Sequence, residues 1–534
     1  MMTKQSSIII SFFIMTFFSA QANTYYIAKD GDDQASGSIN QAWRSIQKAA
    51  NTLVAGDTVF IKAGIYNERI SVQNSGTADQ FIVFINYMND EVIIDGSDII
   101  WWDWNGLFDI TDRSYISVLN LKLKNSYYGG FWIENSHHII IENNKTYNTV
   151  SCGIGVWESN DITIHSNEVE LACNDGEQEC ISIANSHHCE ILQNHIHHNG
   201  PGTNGGEGID VKAGSHDILI AENTIHHLNN RIGIYADAWD AHTYNITISR
   251  NKVYHCLDSG IAIASERGGL IEYVRVVNNI SYDNKWGGIE LGGWTNGNYQ
   301  GATPVRHILF VNNTCYQNGS IDDGWGFGIK INNSYAEDIT IRNNICSRNN
   351  AQIGVENILS NLVIDHNLID GNNDVEEAVF GSDSIVGDAL FMDANAANFH
   401  LLENSPAIDN GSSLDAPSED FDKHQRPDGG AFDIGAFERN SSSGIDDNTL
   451  LESEIRLFPN PCTLDRLSIM IENQSYNVCS IKIFNSSGYM VKELKQELVD
   501  NTIVIDRDGL VEGLYIVNIQ LNNRLIVNRK LLIQ

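Results

Sequence analysis

The chain has 534 residues and a formal net charge of −35. That length exceeds one ordinary compact core, so a repeat array or several domains is expected. So acidic a surface argues against nucleic acid and anionic membrane as partners, and it disfavours a polyanionic substrate unless metal ions or a local basic patch offset the field. Gly is abundant at 44 and Pro scarce at 7, which suits many short strands joined by tight turns better than helices.

Residues 1–22 have the pattern of a secretory signal: Lys4 as the positive start, Ile8 to Phe18 as the apolar stretch, and Ala20-Gln21-Ala22 as the small-x-small cleavage site. No later run is long and apolar enough to span a membrane as a helix. The expected mature protein is exported, and soluble or held at the surface. Nine cysteines is an odd count for such a protein. Cys189, Cys315 and Cys346 fall at apolar core positions and read as buried thiols. Cys173 with Cys180, and Cys462 with Cys479, could each bridge.

The first strand is expected at Thr24–Ala28. Helical spacing follows from Trp43 to Leu53, with Trp43, Ile46, Ala49, Ala50 and Leu53 on one face, then strands at Gly56–Ile61 and Ala63–Tyr66. An amphipathic helix placed before such strands suits a plug that hides the end of a strand stack.

From 130 to 370 the chain repeats the unit apolar-x-apolar-x-x-Asn nine times, ending at Asn144, Asn167, Asn194, Asn223, Asn251, Asn279, Asn313, Asn344 and Asn367. Gly-Ile-x-apolar precedes most units, at Gly153, Gly208, Gly233, Gly260, Gly288 and Gly328. One such unit cannot bury its own apolar side. Stacked as coils at about 4.8 Å, the units pair every strand and pile Ile on Ile. The asparagines are expected at a fixed bend, in a left-handed conformation and hydrogen-bonded coil to coil.

This pattern resembles the right-handed parallel β-helix superfamily of pectate lyases, alginate lyases and their relatives, over residues 23–438. The resemblance implies that the Gly-Ile-x-Val segment is the first strand of a coil, that the Asn bend joins the second and third, and that a substrate groove runs outside the first strand. Phe432-Asp433-Ile434-Gly435-Ala436-Phe437-Glu438 is similar to a closing segment of such proteins. Residues 439–452 read as a linker. In 453–534, Leu457-Phe458-Pro459-Asn460-Pro461, Gly513-Leu514-Tyr515 and the Lys530–Gln534 ending resemble the C-terminal sorting domain of the type IX secretion system. That implies a small β-sandwich and a partner in the outer-membrane secretion machinery. The expected fold is all-β throughout, and the protein is expected to be a monomer.

Registering the coils on their Gly-Ile pairs puts Asp210 beside Tyr235 and Lys212 on Asp237, outside Ile209, Val211 and Ile234. It also puts Glu179 on Glu207. Asp210, Lys212, Tyr235 and Asp237 are therefore expected as one exposed cluster, with Glu207 and Arg231 at its loop edge. Stacked carboxylates repel, and Ca²⁺ held by Asp175, Glu177, Glu179 and Glu207 would offset them. Lys212 is either a base that removes the proton α to a uronate carboxylate or a structural partner of Asp237. Glu207-Gly208-Ile209-Asp210-Val211-Lys212 resembles the Glu-x-x-Ser-x-Lys run of the chondroitinase-B and alginate-lyase family, with Asp210 in place of Ser. That resemblance implies Lys212 as base and Arg231 as its arginine. His198, His227 and His255 share a column and are either a structural ladder or proton donors to a leaving oxygen. Trp157, Trp239, Trp286 and Trp294, with Glu290 nearby, suit a sugar ligand. A polysaccharide lyase is the first functional expectation. A glycoside hydrolase using Asp210 with Asp237 or Glu290, and a non-catalytic glycan binder, are the others.

Overall fold

The structure is a computed structural model. It describes residues 22–439, apart from 102–103, 176, 202–203, 230, 298, 320–325, 358 and 372–376. In the C-terminal part it describes 455–458, 466–471, 478–485, 490–494, 502–510, 513–521 and 525–533. The expected signal before Ala22, the linker beyond Arg439, Pro459-Asn460-Pro461, Gln534 and Cys462 lie outside the described residues. The chain divides into two compact units, Met1–Asn440 and Ser441–Gln534.

The first unit is a parallel β-helix. Each coil gives one strand to each of three sheets, which hold 11, 13 and 13 strands. In the order met along a coil, sheet 1 takes Ile209–Lys212, sheet 2 takes His216–Ala221 and sheet 3 takes Thr224–His226. Alternation sends Ile209, Val211, Ile218, Ile220 and Ile225 inward, and all are buried in one continuous core. Each such side chain contributes about 1.5–3 kcal/mol. The repeated glycine has a steric cause. A Cβ on Gly208 would lie 2.4 Å from the carbonyl oxygen of Gly233, and one on Gly233 2.5 Å from that of Gly260.

The nine asparagines form a continuous ladder between sheets 2 and 3. Asn223 is typical. Its Oδ1 accepts from the backbone N–H and the Nδ2 of Asn194 at 2.8 and 3.0 Å, and its Nδ2 donates to Ile191 O and to Asn251 Oδ1 at 2.8 and 3.0 Å. The left-handed residue, however, is the one before each asparagine. Gln193, Glu222 and Arg250 carry φ of 55°, 61° and 54°. The asparagine is fixed by its amide, which can donate and accept at once, and not by its tolerance of αL.

The helix is shorter than its pattern, Ile46–Thr52, capped by the Ser45 hydroxyl accepting from Lys48 N. Trp43 and Leu53 are buried beside it without being helical. Gln47 exchanges hydrogen bonds with the backbone of Ser71 at the edge of sheet 1, and Ala50 O accepts from Gln73 N. The helix thus occupies an edge that would otherwise be unpaired.

Residues 391–438 pack on the outer face of sheet 3, where Phe399 and Phe437 bury Tyr282 and Tyr316. A fully buried ion pair, Arg426 to Glu438 at 2.6 Å, holds the Gly435 turn, whose carbonyl accepts from Arg426 Nη2 at 2.8 Å. Cys152, Cys173, Cys180, Cys189, Cys256, Cys315 and Cys346 are free and buried. The bridge that Cys173 and Cys180 could have made is therefore not formed.

The second unit has a three-stranded antiparallel sheet (Ile455–Phe458, Arg466–Ile471, Thr502–Asp506) and a four-stranded one (Met490–Leu494, Val478–Asn485, Gly513–Leu521, Leu525–Ile533). Leu467, Ile469 and Ile503 from the first share one core with Ile481, Val517 and Ile519 from the second. That is a small β-sandwich.

Candidate active site

The columns of sheet 1 stand as the glycine register requires. Ser182 pairs with Asp210 and Asp210 with Tyr235, while Trp157 pairs with Ala184 and Ala184 with Lys212. Outward, however, is not exposed. Asp210, Asp237 and Tyr235 are only 3%, 2% and 4% accessible. Flanking loops raise walls over them, and the result is a cavity of about 720 Å³ with Asp210, Lys212, Tyr235 and Asp237 among its lining residues. The expected exposed cluster is a buried floor.

Lys212 does not pair with Asp237. Its Nζ lies 2.5 Å from Glu179 Oε1, one coil back, and 3.4 Å from Asp210 Oδ2. Ser182 Oγ donates to Glu179 Oε2 at 2.6 Å and fixes that carboxylate. Asp237 Oδ1 instead accepts from the backbone N–H of Glu266 at 3.1 Å. The Cα column is right, but the lysine stem leans toward the carboxylate at the mouth of the preceding strand.

The electrostatics follow from this crowding. Burial and then Glu179 push the Glu207 carboxyl up to about 7. Burial and then Glu266 push Asp237 up to about 8. Asp210 is held well above the usual carboxylate range by burial, with Glu179, Asp237 and Glu207 adding to it against the pull of Lys212. Burial works against the charge on Lys212, but Glu179 and Asp210 more than reverse this and hold the ammonium well above its usual range. Asp210 Oδ1 is buried with no hydrogen-bond partner.

Arg231 lies at the loop edge, its Nε donating to Gly205 O at 2.5 Å and standing 3.7 Å from Glu207 Oε1. Trp157 lines the cavity and stacks on Trp132 at 3.7 Å between centroids. Trp239 lines it under the Arg267 guanidinium. Trp294, Trp286 and Glu290 line an adjoining pocket of about 340 Å³, which shares Glu207, Arg231, Tyr235 and Glu266 with the first. Asp210 and Glu290 therefore face different pockets and do not make the acid–base pair considered for a hydrolase. Asp175 is exposed and accepts from Glu177 N in its own loop, so it does not join Glu179 and Glu207. His198 and His227 stack on each other at the end of sheet 3 and line neither pocket.

Five lining residues, Gln178 and Ala213 among them, carried no sequence signal. Trp104, Glu266 and Asn296 come from loops whose lengths follow no repeat. Glu266 accepts from the Tyr235 hydroxyl at 2.7 Å, and Trp294 Nε1 donates to that hydroxyl at 3.2 Å.

Residues 25–175 match the family model for a Pel9A-like, right handed beta helix region, and 174–314 match that for a right handed beta helix region. Residues 456–534 match the secretion system C-terminal sorting domain. The chain is 25% identical over 326 residues to the uncharacterized protein YwoF of Bacillus subtilis (strain 168), spanning 54% of this chain and 69% of that protein. It is 30% identical over 151 residues to the pectate lyase PEL9 of Emericella nidulans, spanning 26% of this chain and 37% of the lyase. The solved structure of pectate lyase Pel9A superposes with a TM-score of 0.47 at 16% identity, covering 79% of this chain and 97% of that one. The chain is a secreted or cell-surface protein made of a pectate-lyase-like right-handed parallel β-helix and a type IX secretion C-terminal sorting domain.

Proposed function

We propose that the cavity over Lys212 is the active centre of an exported polysaccharide lyase that cleaves a uronate-containing glycan by β-elimination. One observation carries this reading: a single lysine set among buried carboxylates, under a wall of tryptophans (Trp104, Trp157, Trp239). The partial match to a pectate lyase supports a polysaccharide as the substrate class.

Lys212 and Arg231 stand against Glu177, Glu179, Glu207, Asp210, Asp237 and Glu266 in that lining. An anionic uronate would be repelled as the cavity stands. The all-oxygen donors and the orphaned Asp210 Oδ1 fit Ca²⁺, with Glu207, Asp210 and Asp237 to hold it, since Glu179 is committed to Lys212. Bound there, the ion would offset the buried charge and attract the substrate carboxylate. Lys212 Nζ, after giving its extra proton to solvent, would as the neutral amine take the proton from the carbon α to the carboxylate. The electron pair left behind forms the new carbon–carbon double bond and breaks the bond from the β carbon to the glycosidic oxygen, which takes its proton from water. Trp157 and Trp239 stack against sugar rings on either side.

A second reading rests on Asp237. A carboxyl that keeps its proton up to about 8 is a ready general acid for a glycoside hydrolase. A panel of uronate and neutral glycans, incubated with and without Ca²⁺, separates the two. Ultraviolet absorbance from an unsaturated uronate that depends on Ca²⁺ supports the lyase. New reducing ends without that absorbance select the hydrolase, and neither signal leaves a binding protein or a uronate epimerase, the non-cleaving variant of the lyase reading.

A further inference from the structure

On the outer face of sheet 3, away from the cavity, the strands Glu168–Glu170, His195–His197 and Thr224–His226 lie in register, with Glu168 beside His195 and Glu170, His197 and His226 in one column. Ligand atoms of Glu168, His195 and His197 all lie within 4.8 Å of one another. His197 Nε2 is 3.3 Å from Glu168 Oε1, and His195 Nε2 is 2.8 Å from His226 Nε2. Two imidazole nitrogens and one carboxylate oxygen therefore converge from two successive coils, and His226 of the next coil adjoins them through His195 Nε2. The Nδ1 atoms of His197 and His226 are taken up by the Nδ1 atoms of His198 and His227, at 2.8 and 2.6 Å. That leaves the Nε2 sides facing inward on the cluster, the arrangement in which an outer ring orients a ligand imidazole.

We propose that Glu168, His195, His197 and His226 form a binding site for a divalent transition-metal ion of the Zn²⁺ class, which clips three coils of the helix together. Zinc bonds to nitrogen and oxygen run about 2.0–2.2 Å, so donors up to about 4 Å apart can share one ion after small side-chain shifts. Mixed imidazole and carboxylate donors select this class over Ca²⁺ or Mg²⁺.

Ring stacking accounts for His197 on His226 and for His226 on Tyr254, but not for His195 and Glu168. The same column continues as Tyr254, Tyr282 and Tyr316, where stacking is provided by phenols under the cover of Phe399. The imidazoles begin where that cover ends, and His195 and Glu168 stand outside the column altogether. Lys145 is the group an ion must displace, since its Nζ bonds Glu168 Oε1 at 3.0 Å and Glu170 Oε2 at 2.7 Å. It can remain on Glu170.

The test uses untagged full-length protein stripped with a chelator and titrated calorimetrically with Zn²⁺, then with Co²⁺ as a spectroscopic probe. Saturable binding of one equivalent is expected, with a rise in Tm and the visible bands of four-coordinate Co²⁺. His195→Gln and His226→Gln should each weaken binding by about 10–100-fold. His195 is exposed, so its replacement leaves the core untouched, and circular dichroism verifies the fold. Absence of saturable Zn²⁺ binding, or equal binding by both variants, overturns the proposal. Glycan turnover by His195→Gln should be unchanged, so failure here is separate from failure at the cavity.

Discussion

An asparagine column and a cluster of carboxylates both lie on this solenoid, and they are satisfied in opposite ways. In the asparagine ladder each amide donates and accepts, so every buried polar atom of Asn223 finds a partner in the coil above or below. On the floor of sheet 1 the groups gathered from neighbouring columns are carboxylates, which only accept when ionised. Asp210 Oδ1 has no hydrogen-bond partner, and Glu207, Asp210 and Asp237 are all pushed toward the protonated state. A column that repeats identical amides lowers its own energy, while a cluster that gathers like charges is held in place by the rest of the fold. The difference marks which of the two holds the chain together and which meets a ligand.

The largest expected effect breaks the cluster. Asp210→Asn should lower glycan turnover by about 10²-fold or more while leaving stability at pH 8 equal or higher, because it removes a buried acceptor from a crowd of like charges. Turnover and the urea midpoint, measured on the same preparation, check both halves. Loss of both together would place Asp210 with the structural column.

Breaking the asparagine column should do the reverse. Asn223→Ala leaves the amide of Asn194 and the carbonyl of Ile191 short of partners in the interior. The expected cost is about 3 kcal/mol in the urea denaturation of the helix domain, with Ca²⁺ binding unchanged in calorimetry.

The column and the cluster should also differ in pH response. Glu207 and Asp237 have folded values raised to about 7 and about 8, above the usual unfolded carboxylate range near 4. Their contribution to stability is therefore fully present below about 4 and is lost as pH rises through 7 to 8. In a chelator, the denaturation midpoint of wild-type protein should fall over that window, and Ca²⁺ should restore it. The asparagine ladder carries no such dependence, so a double variant with Glu207→Gln and Asp237→Asn should show a flatter profile.

The smallest effect is expected at the wall. Trp104 is 63% exposed at the cavity rim, and Trp104→Ala should raise KM severalfold with kcat nearly unchanged if it serves as a sugar platform.

Much of this contrast was legible in the sequence. The glycine positions set the register because a Cβ there would strike the next coil, and the asparagines announced their ladder by spacing. Pairing of Asp210 with Tyr235 followed directly. The ion pair of Lys212 did not. Columns fix Cα positions, whereas a long side chain leans, and Glu179 sits just before its strand within reach. Burial of the floor was hidden for a related reason. Outward orientation is a property of the strand, but exposure depends on loops of irregular length, and those same loops supply Trp104, Glu266 and Asn296. Asp175 shows the converse, since its place in an acidic loop suggested a ligand and its carboxylate caps its own turn.

The most direct measurement is turnover by Lys212→Ala, set beside wild type on a uronate glycan that the wild type cleaves, at saturating Ca²⁺ and with Tm recorded for both. The lyase account predicts that the absorbance of the unsaturated product falls by about 10²–10⁴-fold, while Tm stays within a few degrees because Asp210 can take up a proton in place of its partner. An unchanged rate in a folded Lys212→Ala protein would contradict it and remove the lysine from the chemistry.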